Sequence, residues 1–164
     1  MIRAIFLDVD GTLISFSTHE IPASARRALT QAHERGVRLF IATGRAANDL
    51  GPLEGIPYDG VVSLNGARCV ANDGRVVSLH PIPRADFERA LALSEEQDFA
   101  MGLELEEGVF VNRVTPDVKR VAHMVAHPVP EQTDLRELFG RVECCQLCFY
   151  FDAETQRRVM AELP

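Results

Sequence analysis

The chain has 164 residues, 46% of them hydrophobic, which is enough apolar side chain to bury one good core or two small ones. Its formal net charge of −7, without a basic run, argues against a surface for nucleic acid or anionic membranes. No apolar stretch is long enough to span a bilayer, and the apolar run at residues 2–7 is too short for a signal peptide and is followed directly by acidic residues. The four cysteines lack the spacing of a secreted disulfide framework, so we expect reduced thiols in a cytoplasmic protein.

The first predicted strand covers residues 2–7 and ends in two aspartates, Asp8 and Asp10, followed by Gly11. Because residues i and i+2 of an extended chain point to the same side, the two carboxylates can converge on one small volume. Gly11 allows a tight bend that turns backbone N–H groups toward the same place. The alternative is an ordinary polar turn after a buried strand, but such a turn needs no second aspartate. We therefore expect chemistry at this turn.

The next segment predicts a helix and a second strand. Pro22 near the start and Gly36 at the end are the expected flanks of a helix between them. A strand follows over residues 37–42. Because a strand, a helix and another strand form a right-handed crossover, the second strand should lie parallel to the first.

Two further polar turns should then reach the edge of the sheet at which the first strand ends. A short helix is predicted over residues 46–53 and a third strand over residues 60–64. An open parallel α/β sheet binds ligands at the carboxyl ends of its strands, so this edge is the candidate site. The residues that follow the second and third strands there are Thr43, Gly44, Arg45, Asn65 and Gly66.

The second half of the chain has a different order of elements. A hairpin turning at Asp73-Gly74 is followed by a proline-rich linker, which places a domain boundary after His80. The predicted domains are residues 1–80, with a parallel α/β sheet, and residues 81–164, with an α+β order. The elements predicted in the second domain are helices at 84–97, from 115, near 134 and from 152, and strands at 99–105, 109–112 and 142–151.

Residues 8–13, Asp-Val-Asp-Gly-Thr-Leu, resemble the first motif of the haloacid dehalogenase (HAD) superfamily, which consists mainly of magnesium-dependent phosphohydrolases. Thr43-Gly44-Arg45 and Asn65-Gly66 resemble its Cof-like branch, which carries an inserted α/β cap of the C2B type. The resemblance implies that residues 1–80 are the N-terminal half of a Rossmann-like core. It implies that residues 81–164 are the cap, which chooses the substrate.

The resemblance also implies a mechanism. Asp8 would attack phosphorus to form an aspartyl phosphate, while Asp10 would act as general acid and base. The Asp8 carboxylate and the Asp10 backbone carbonyl would bind Mg²⁺. The implied phosphate- and substrate-binding residues are Val9, Gly11, Thr43, Gly44, Arg45, Asn65 and Gly66. From the residues alone, Arg45 is equally well a solvated or helix-capping group, and Asn65 a turn residue.

Two parts of the superfamily pattern have no counterpart here. The single lysine, Lys119, lies in the predicted cap, and no acidic Gly-Asp strand end follows it. We therefore expect a fragment or truncated gene product that is nearly inactive alone and binds Mg²⁺ weakly. The first strand would form an exposed edge through which the chain could self-associate.

Three functions agree with this sequence. The first is a phosphatase for small phosphorylated metabolites, either sugar phosphates or nucleotides. The second is a phosphomutase of the same superfamily, and the third is a remnant without catalysis. Two other pairs have metal-binding residue types. Cys145 and Cys148 lack a second cysteine pair and a nearby histidine, so we do not expect zinc there. His123 and His127 are interpreted as a surface pair, because Pro128 ends the helix and no Glu follows the first His in the metalloprotease pattern.

Overall fold

The computed structural model describes residues 2–15, 17–18, 20–125 and 127–162. The chain divides into two compact units, Met1–His80 and Pro81–Pro164, and each unit has its own sheet. Within the described ranges, no helix has both the length and the apolar composition needed to cross a bilayer. Each unit is described by itself below.

The first unit contains a five-stranded sheet in the order β1-β2-β3-β4-β5. The strands β1, β2 and β3 are parallel, and β4 and β5 add an antiparallel hairpin. The helix α1 connects β1 with β2, as the crossover prediction requires. The predicted α/β fold class with a parallel sheet is confirmed. The elements are β1 (Ala4–Leu7), α1 (Ala23–Glu34), β2 (Arg38–Ala42), β3 (Gly60–Ser63), β4 (Arg68–Ala71) and β5 (Val76–Leu79).

This sheet packs its two faces differently. Leu39 and Ile41 of β2 are completely buried in the core of the unit, which includes Leu29 of α1. On the opposite face, Phe6 of β1 is 62% exposed and stacks on Phe40 with ring centroids 4.9 Å apart. β1 is also an edge strand, so both its outer edge and one of its faces are open. Self-association through this edge stays a prediction.

The second unit contains a four-stranded sheet in the order β8-β7-β6-β9. The strand β6 pairs antiparallel with both β7 and β9, and the short β8 runs parallel to β7. The elements are α2 (Arg84–Glu96), β6 (Ala100–Leu105), β7 (Gly108–Val111), α3 (Pro116–Met124), β8 (Glu131–Gln132), α4 (Leu135–Phe139), β9 (Gln146–Tyr150) and α5 (Ala153–Glu162).

Helices cover both faces of this second sheet. Met101 and Leu103 of β6 pack with Phe87 of α2 and Phe139 of α4. The alternate residue Ala100 lies on the other face, in a cluster with Val118 of α3. The antiparallel sheet is therefore buried on two sides.

Two predicted elements need correction, and one element was missed. The helix expected over residues 46–53 is only a single 3₁₀ turn, Gly51–Leu53, because Pro52 has no N–H with which to continue an α-helix from the preceding turn. The last strand begins at Gln146 rather than near residue 142, because the Cys144 carbonyl accepts a hydrogen bond from the Ile82 N–H instead of joining the sheet. The short strand β8 was not predicted.

Candidate functional site

The turn after β1 presents two aspartates to solvent around a buried valine. Val9 is 1% exposed, and its carbonyl accepts hydrogen bonds from the N–H groups of Leu13 and Ile14 at 3.0 and 2.8 Å. Gly11 lies in the left-handed region, with φ 80°, which a glycine adopts without strain. Asp8 and Asp10 flank Val9 and are both exposed. The alternation predicted from the sequence thus extends through the first turn residues.

Thr12 holds the Asp8 carboxylate. Its hydroxyl donates a hydrogen bond of 2.8 Å to Asp8 Oδ2. One carboxylate oxygen of Asp8 is therefore held within the turn. Thr12 was not predicted as a site residue, although a hydroxyl four residues after an aspartate in a tight turn was a usable signal.

Arg45 holds the second aspartate in a bidentate pair. Its Nε donates to Asp10 Oδ2 at 2.8 Å and its Nη2 donates to Asp10 Oδ1 at 2.7 Å. The hydrogen bond to Asp10 is the largest cause that raises the pKa of Arg45 above the ordinary arginine value. The structure thus brings together two of the predicted site residues that lie 35 positions apart in the chain.

The remaining terminal nitrogen of Arg45 contacts Asp49. Nη1 donates to Asp49 Oδ2 at 3.1 Å and to the Asp49 carbonyl at 3.2 Å. Asp49 was missed from the sequence because the segment 46–53 was expected to be helical and carried no recognised motif. All three guanidinium nitrogens therefore bind protein oxygens.

Thr43 occupies the end of β2 and is 6% exposed. Its hydroxyl oxygen accepts a 3.1 Å hydrogen bond from the Arg45 N–H. A hydroxyl that accepts one hydrogen bond keeps its own O–H as a donor. The Thr43-Gly44-Arg45 turn can therefore present a hydroxyl donor beside the aspartate turn.

The turn after β3 braces the turn after β2. The Asn65 N–H donates to the Thr43 carbonyl, and the Leu64 N–H donates to the Arg45 carbonyl, both at 3.1 Å. A Cβ atom added to Gly44 would lie 3.2 Å from Asn65 Oδ1, so the Asn65 amide packs directly on this glycine. The predicted residues at these two strand ends are thus in mutual contact.

The bracing turn has an unusual backbone. Leu64, Asn65 and Gly66 all have positive φ, at 49°, 54° and 95°. Asparagine and glycine tolerate this region, whereas leucine adopts it rarely, and such strain concentrates at functional sites. Leu64 is 5% exposed, so its burial offsets part of this cost.

The aspartate turn offers oxygen ligands for a divalent cation. In the part of the chain that the structure describes, no three His, Cys, Asp or Glu side chains gather into a metal-binding group. The Asp8 carboxylate and the Asp10 carbonyl are hard oxygen donors, which is the type that Mg²⁺ prefers. The donor chemistry therefore fits Mg²⁺, with most of an octahedral shell to be supplied by substrate oxygens and water.

An open cavity of about 370 Å³ adjoins the aspartate turn. It gives a small molecule access to the Thr12 side of the turn. Its lining residues are Gly11, Thr12, Leu13, Ser15, Ser17 and Pro22.

Two of the solved structures that resemble this chain are phosphatases. BT1666 from Bacteroides thetaiotaomicron, a phosphatase of the haloalkanoate (HAD) enzyme superfamily, is 53% identical with a TM-score of 0.91, over 98% of this chain and 60% of that chain. BT4131, a HAD subclass IIB sugar phosphatase, is 29% identical with a TM-score of 0.83, over 99% of this chain and 64% of that chain. This chain therefore spans less than two thirds of the length of either protein.

Comparison of sequences gives the same relationship. YkrA of Bacillus subtilis (strain 168) is 30% identical over 95 residues, which are 57% of this chain and 36% of YkrA. The family model of the haloacid dehalogenase-like hydrolases matches residues 5–164, and this range includes the aspartate turn and all but the first four residues of the two compact units. The chain belongs to the haloacid dehalogenase-like hydrolase family.

Proposed function

We propose that this protein is a phosphoric monoester hydrolase that acts on small phosphorylated metabolites, sugar phosphates or nucleotides, through an aspartyl phosphate on Asp8. One observation carries the proposal: Asp10, two residues after the exposed Asp8, is ion-paired with Arg45 of the Thr43-Gly44-Arg45 turn at the carboxyl edge of parallel strands. The phosphatase names of BT1666 and BT4131 support it.

In the proposed reaction, Asp8 is the nucleophile. Thr12 holds Oδ2, so Oδ1 attacks phosphorus while the bond from phosphorus to the leaving oxygen breaks. Asp10 is the proposed general acid and base: with one oxygen released from Arg45, which holds both oxygens in this structure, it donates a proton to the leaving oxygen and then takes a proton from the water that hydrolyses the aspartyl phosphate. The two carboxylates have different partners, because a neutral hydroxyl holds Asp8 and the Arg45 guanidinium holds Asp10.

The phosphate would bind at the turn after β2. The Thr43 hydroxyl and the Gly44 N–H are the donors we assign to the phosphoryl oxygens, whose charge grows during transfer. Backbone groups of Val9 and Gly11 lie at the neighbouring turn. Asn65 and Gly66 complete the proposed binding residues by holding the Thr43 turn in place, as their contacts with it support.

Mg²⁺ is the proposed cofactor, held by the Asp8 carboxylate and the Asp10 backbone carbonyl. Bound there, it would offset the repulsion between two aspartates and a phosphate dianion. We expect weak affinity in the 164-residue chain, because few acidic ligands are present. Calorimetric titration measures this, and micromolar affinity would contradict it.

Residues 81–164 are proposed to select the substrate as a cap. If so, exchanging loops within this range should change the relative rates across a panel of phosphate esters, while substitutions at Asp8 should lower all of them. Unchanged relative rates after such an exchange would contradict the assignment.

Two experiments test the proposal: a substitution of Asp8, and chemical trapping of the intermediate. We would join residues 1–164 to the part of BT1666 that this chain does not match and assay aryl phosphate hydrolysis with Mg²⁺ and with EDTA. Asp8→Asn should lower kcat by at least about a thousandfold, as expected for loss of a covalent nucleophile. The control is Asp73→Asn, an exposed hairpin-turn aspartate.

Borohydride reduction followed by mass spectrometry should locate the modified residue at Asp8. Modification elsewhere, or more than a tenth of the parent rate in Asp8→Asn, contradicts the proposal. Appearance of phosphate on a second position of the substrate, instead of free phosphate, would assign the protein as a phosphomutase.

A further inference from the structure

The proposed mechanism assigns no role to Asp49, although Asp49 contacts the site. It binds the Arg45 guanidinium through both its side chain and its carbonyl. The Asp49 N–H in turn donates to the Ala46 carbonyl at 3.1 Å, which fixes the Asp49 backbone within a tight turn. Asp49 is therefore a rigidly held acceptor four residues after Arg45.

The bidentate pair with Arg45 fixes the orientation of the Asp10 carboxylate. A bidentate guanidinium pair sets both the distance and the plane of its carboxylate partner, which a single hydrogen bond does not. Asp10 is itself half exposed, with 41% of its side chain accessible. Without Arg45 this side chain would lose its two-point support and sample other rotamers.

Arg45 also needs a support of its own. An arginine side chain has four rotatable bonds and loses much freedom when it is held in one position. Asp49 supplies the support at Nη1, the nitrogen that does not face Asp10. The ion pairs form a chain in the order Asp49, Arg45, Asp10.

We propose that Asp49 is a positioning residue, which holds Arg45 against Asp10 so that Arg45 orients the aspartate and not the substrate phosphate. The inference rests on the proposed function only in naming Asp10 as the acid and base. It differs from the sequence expectation, which placed Arg45 among the substrate-binding residues.

The first test uses nuclear magnetic resonance on the 164-residue chain. In the bidentate pair the Arg45 Nε–H is shielded from solvent, so its resonance should be sharp and its exchange slow. Asp49→Asn should speed this exchange on the order of fivefold, the size of a partly exposed ion-pair effect. Asp49→Glu keeps the carboxylate and should restore at least part of the protection.

Asp117→Asn is the matched control. Asp117 forms a comparable Arg–Asp pair with Arg120 in the second unit, and its side chain is 33% exposed against 39% for Asp49. This control should leave the Arg45 resonance unchanged. The inference is overturned if the Arg45 Nε–H keeps the same chemical shift and exchange rate in Asp49→Asn.

The second test is kinetic and uses the fusion with the BT1666 segment described above. Asp49→Asn should lower kcat by about tenfold for a poor leaving group, and by less for a good one, with KM unchanged. A higher KM with unchanged kcat would show that Arg45 binds substrate, which overturns the inference. If no phosphoryl group reaches Asp8, the proposed function fails, while the Arg45 resonance still decides the role of Asp49.

Discussion

The sheet of residues 1–80 and the sheet of residues 81–164 differ in strand direction, and this difference decides where polar side chains collect. β1, β2 and β3 are parallel, so their carboxyl ends reach one edge, where Asp8, Thr43 and Asn65 follow them. β6 is antiparallel to both β7 and β9, so consecutive strand ends alternate between two edges. A parallel arrangement gathers several polar turns at one place, whereas an antiparallel one separates them.

The two units also differ in how they bury aromatic rings. Phe87 and Phe139 stack with centroids 4.1 Å apart and are 0% and 9% exposed. The stacked pair of Phe6 and Phe40 in the first unit lies on an open sheet face. Of these two stacked pairs, the one in the second unit is buried, whereas Phe6 of the pair in the first unit is accessible to solvent.

The largest expected effect beyond loss of Asp8 concerns Asp10. Asp10→Asn should lower hydrolysis by about a hundredfold or more for esters with poor leaving groups, which need a proton, and less for aryl phosphates with good ones. The measurement is a plot of log kcat against leaving-group pKa in the fusion protein. Equal losses across the series would mean that Asp10 acts only as a scaffold.

Substituting one buried and one exposed phenylalanine tests the difference in packing between the two units. Phe139→Ala should cost about 3–5 kcal/mol of unfolding free energy, because it empties a buried stack. Phe6→Ala should cost about 1 kcal/mol or less, because most of its ring is already in water.

Amide hydrogen exchange measures how these substitutions affect the protection of backbone amides in each unit separately. Phe139→Ala should reduce protection in β6 and leave the amides of β2 unchanged. Similar losses in both strands would show that the units unfold together, and the contrast between them would then be wrong.

The smallest effect is expected at the contact between the turn after β2 and the turn after β3. Gly44→Ala places a Cβ atom 3.2 Å from Asn65 Oδ1, a tight contact with a movable side chain, so stability should change by about 1 kcal/mol or less. Turnover should fall several-fold because the phosphate turn shifts. The double variant Gly44→Ala/Asn65→Gly removes the contact and should recover most of the rate. No recovery would show that the added methyl group disturbs something other than Asn65.

The sequence predicted the parts of the fold that depend on pattern. Apolar runs ending in polar residues gave β1, β2 and β3 and the edge at which they end, and the proline and glycine flanks gave α1. For Asp10 and Arg45, the sequence predicted only that both residues lie at the same edge of the sheet. Their ion pair depends on side-chain rotamers, which the spacing of residues does not reveal.

Other features were beyond the reach of local pattern. Leu64 gives no signal for a left-handed backbone, because leucine is nearly always found elsewhere, and here burial of its side chain outweighs the local preference. The support from Asp49 depends on segment 46–50 forming turns and not a helix. Burial of Leu64 decided the first, and the proline at residue 52 decided the second.

The order of strands in the second unit has a consequence for the growing chain. β9 is the last strand, yet it pairs along its whole length with β6, joining Ala100 to Tyr150. The five described strands of the first unit, in contrast, have all been made once Leu79 has been added. During synthesis from the N-terminus, these strands can pair with one another while β6 still lacks its partner β9. In that interval one edge of the apolar strand β6 is unpaired, so translation pauses before residue 146 should raise the yield of chains misassembled through the second unit.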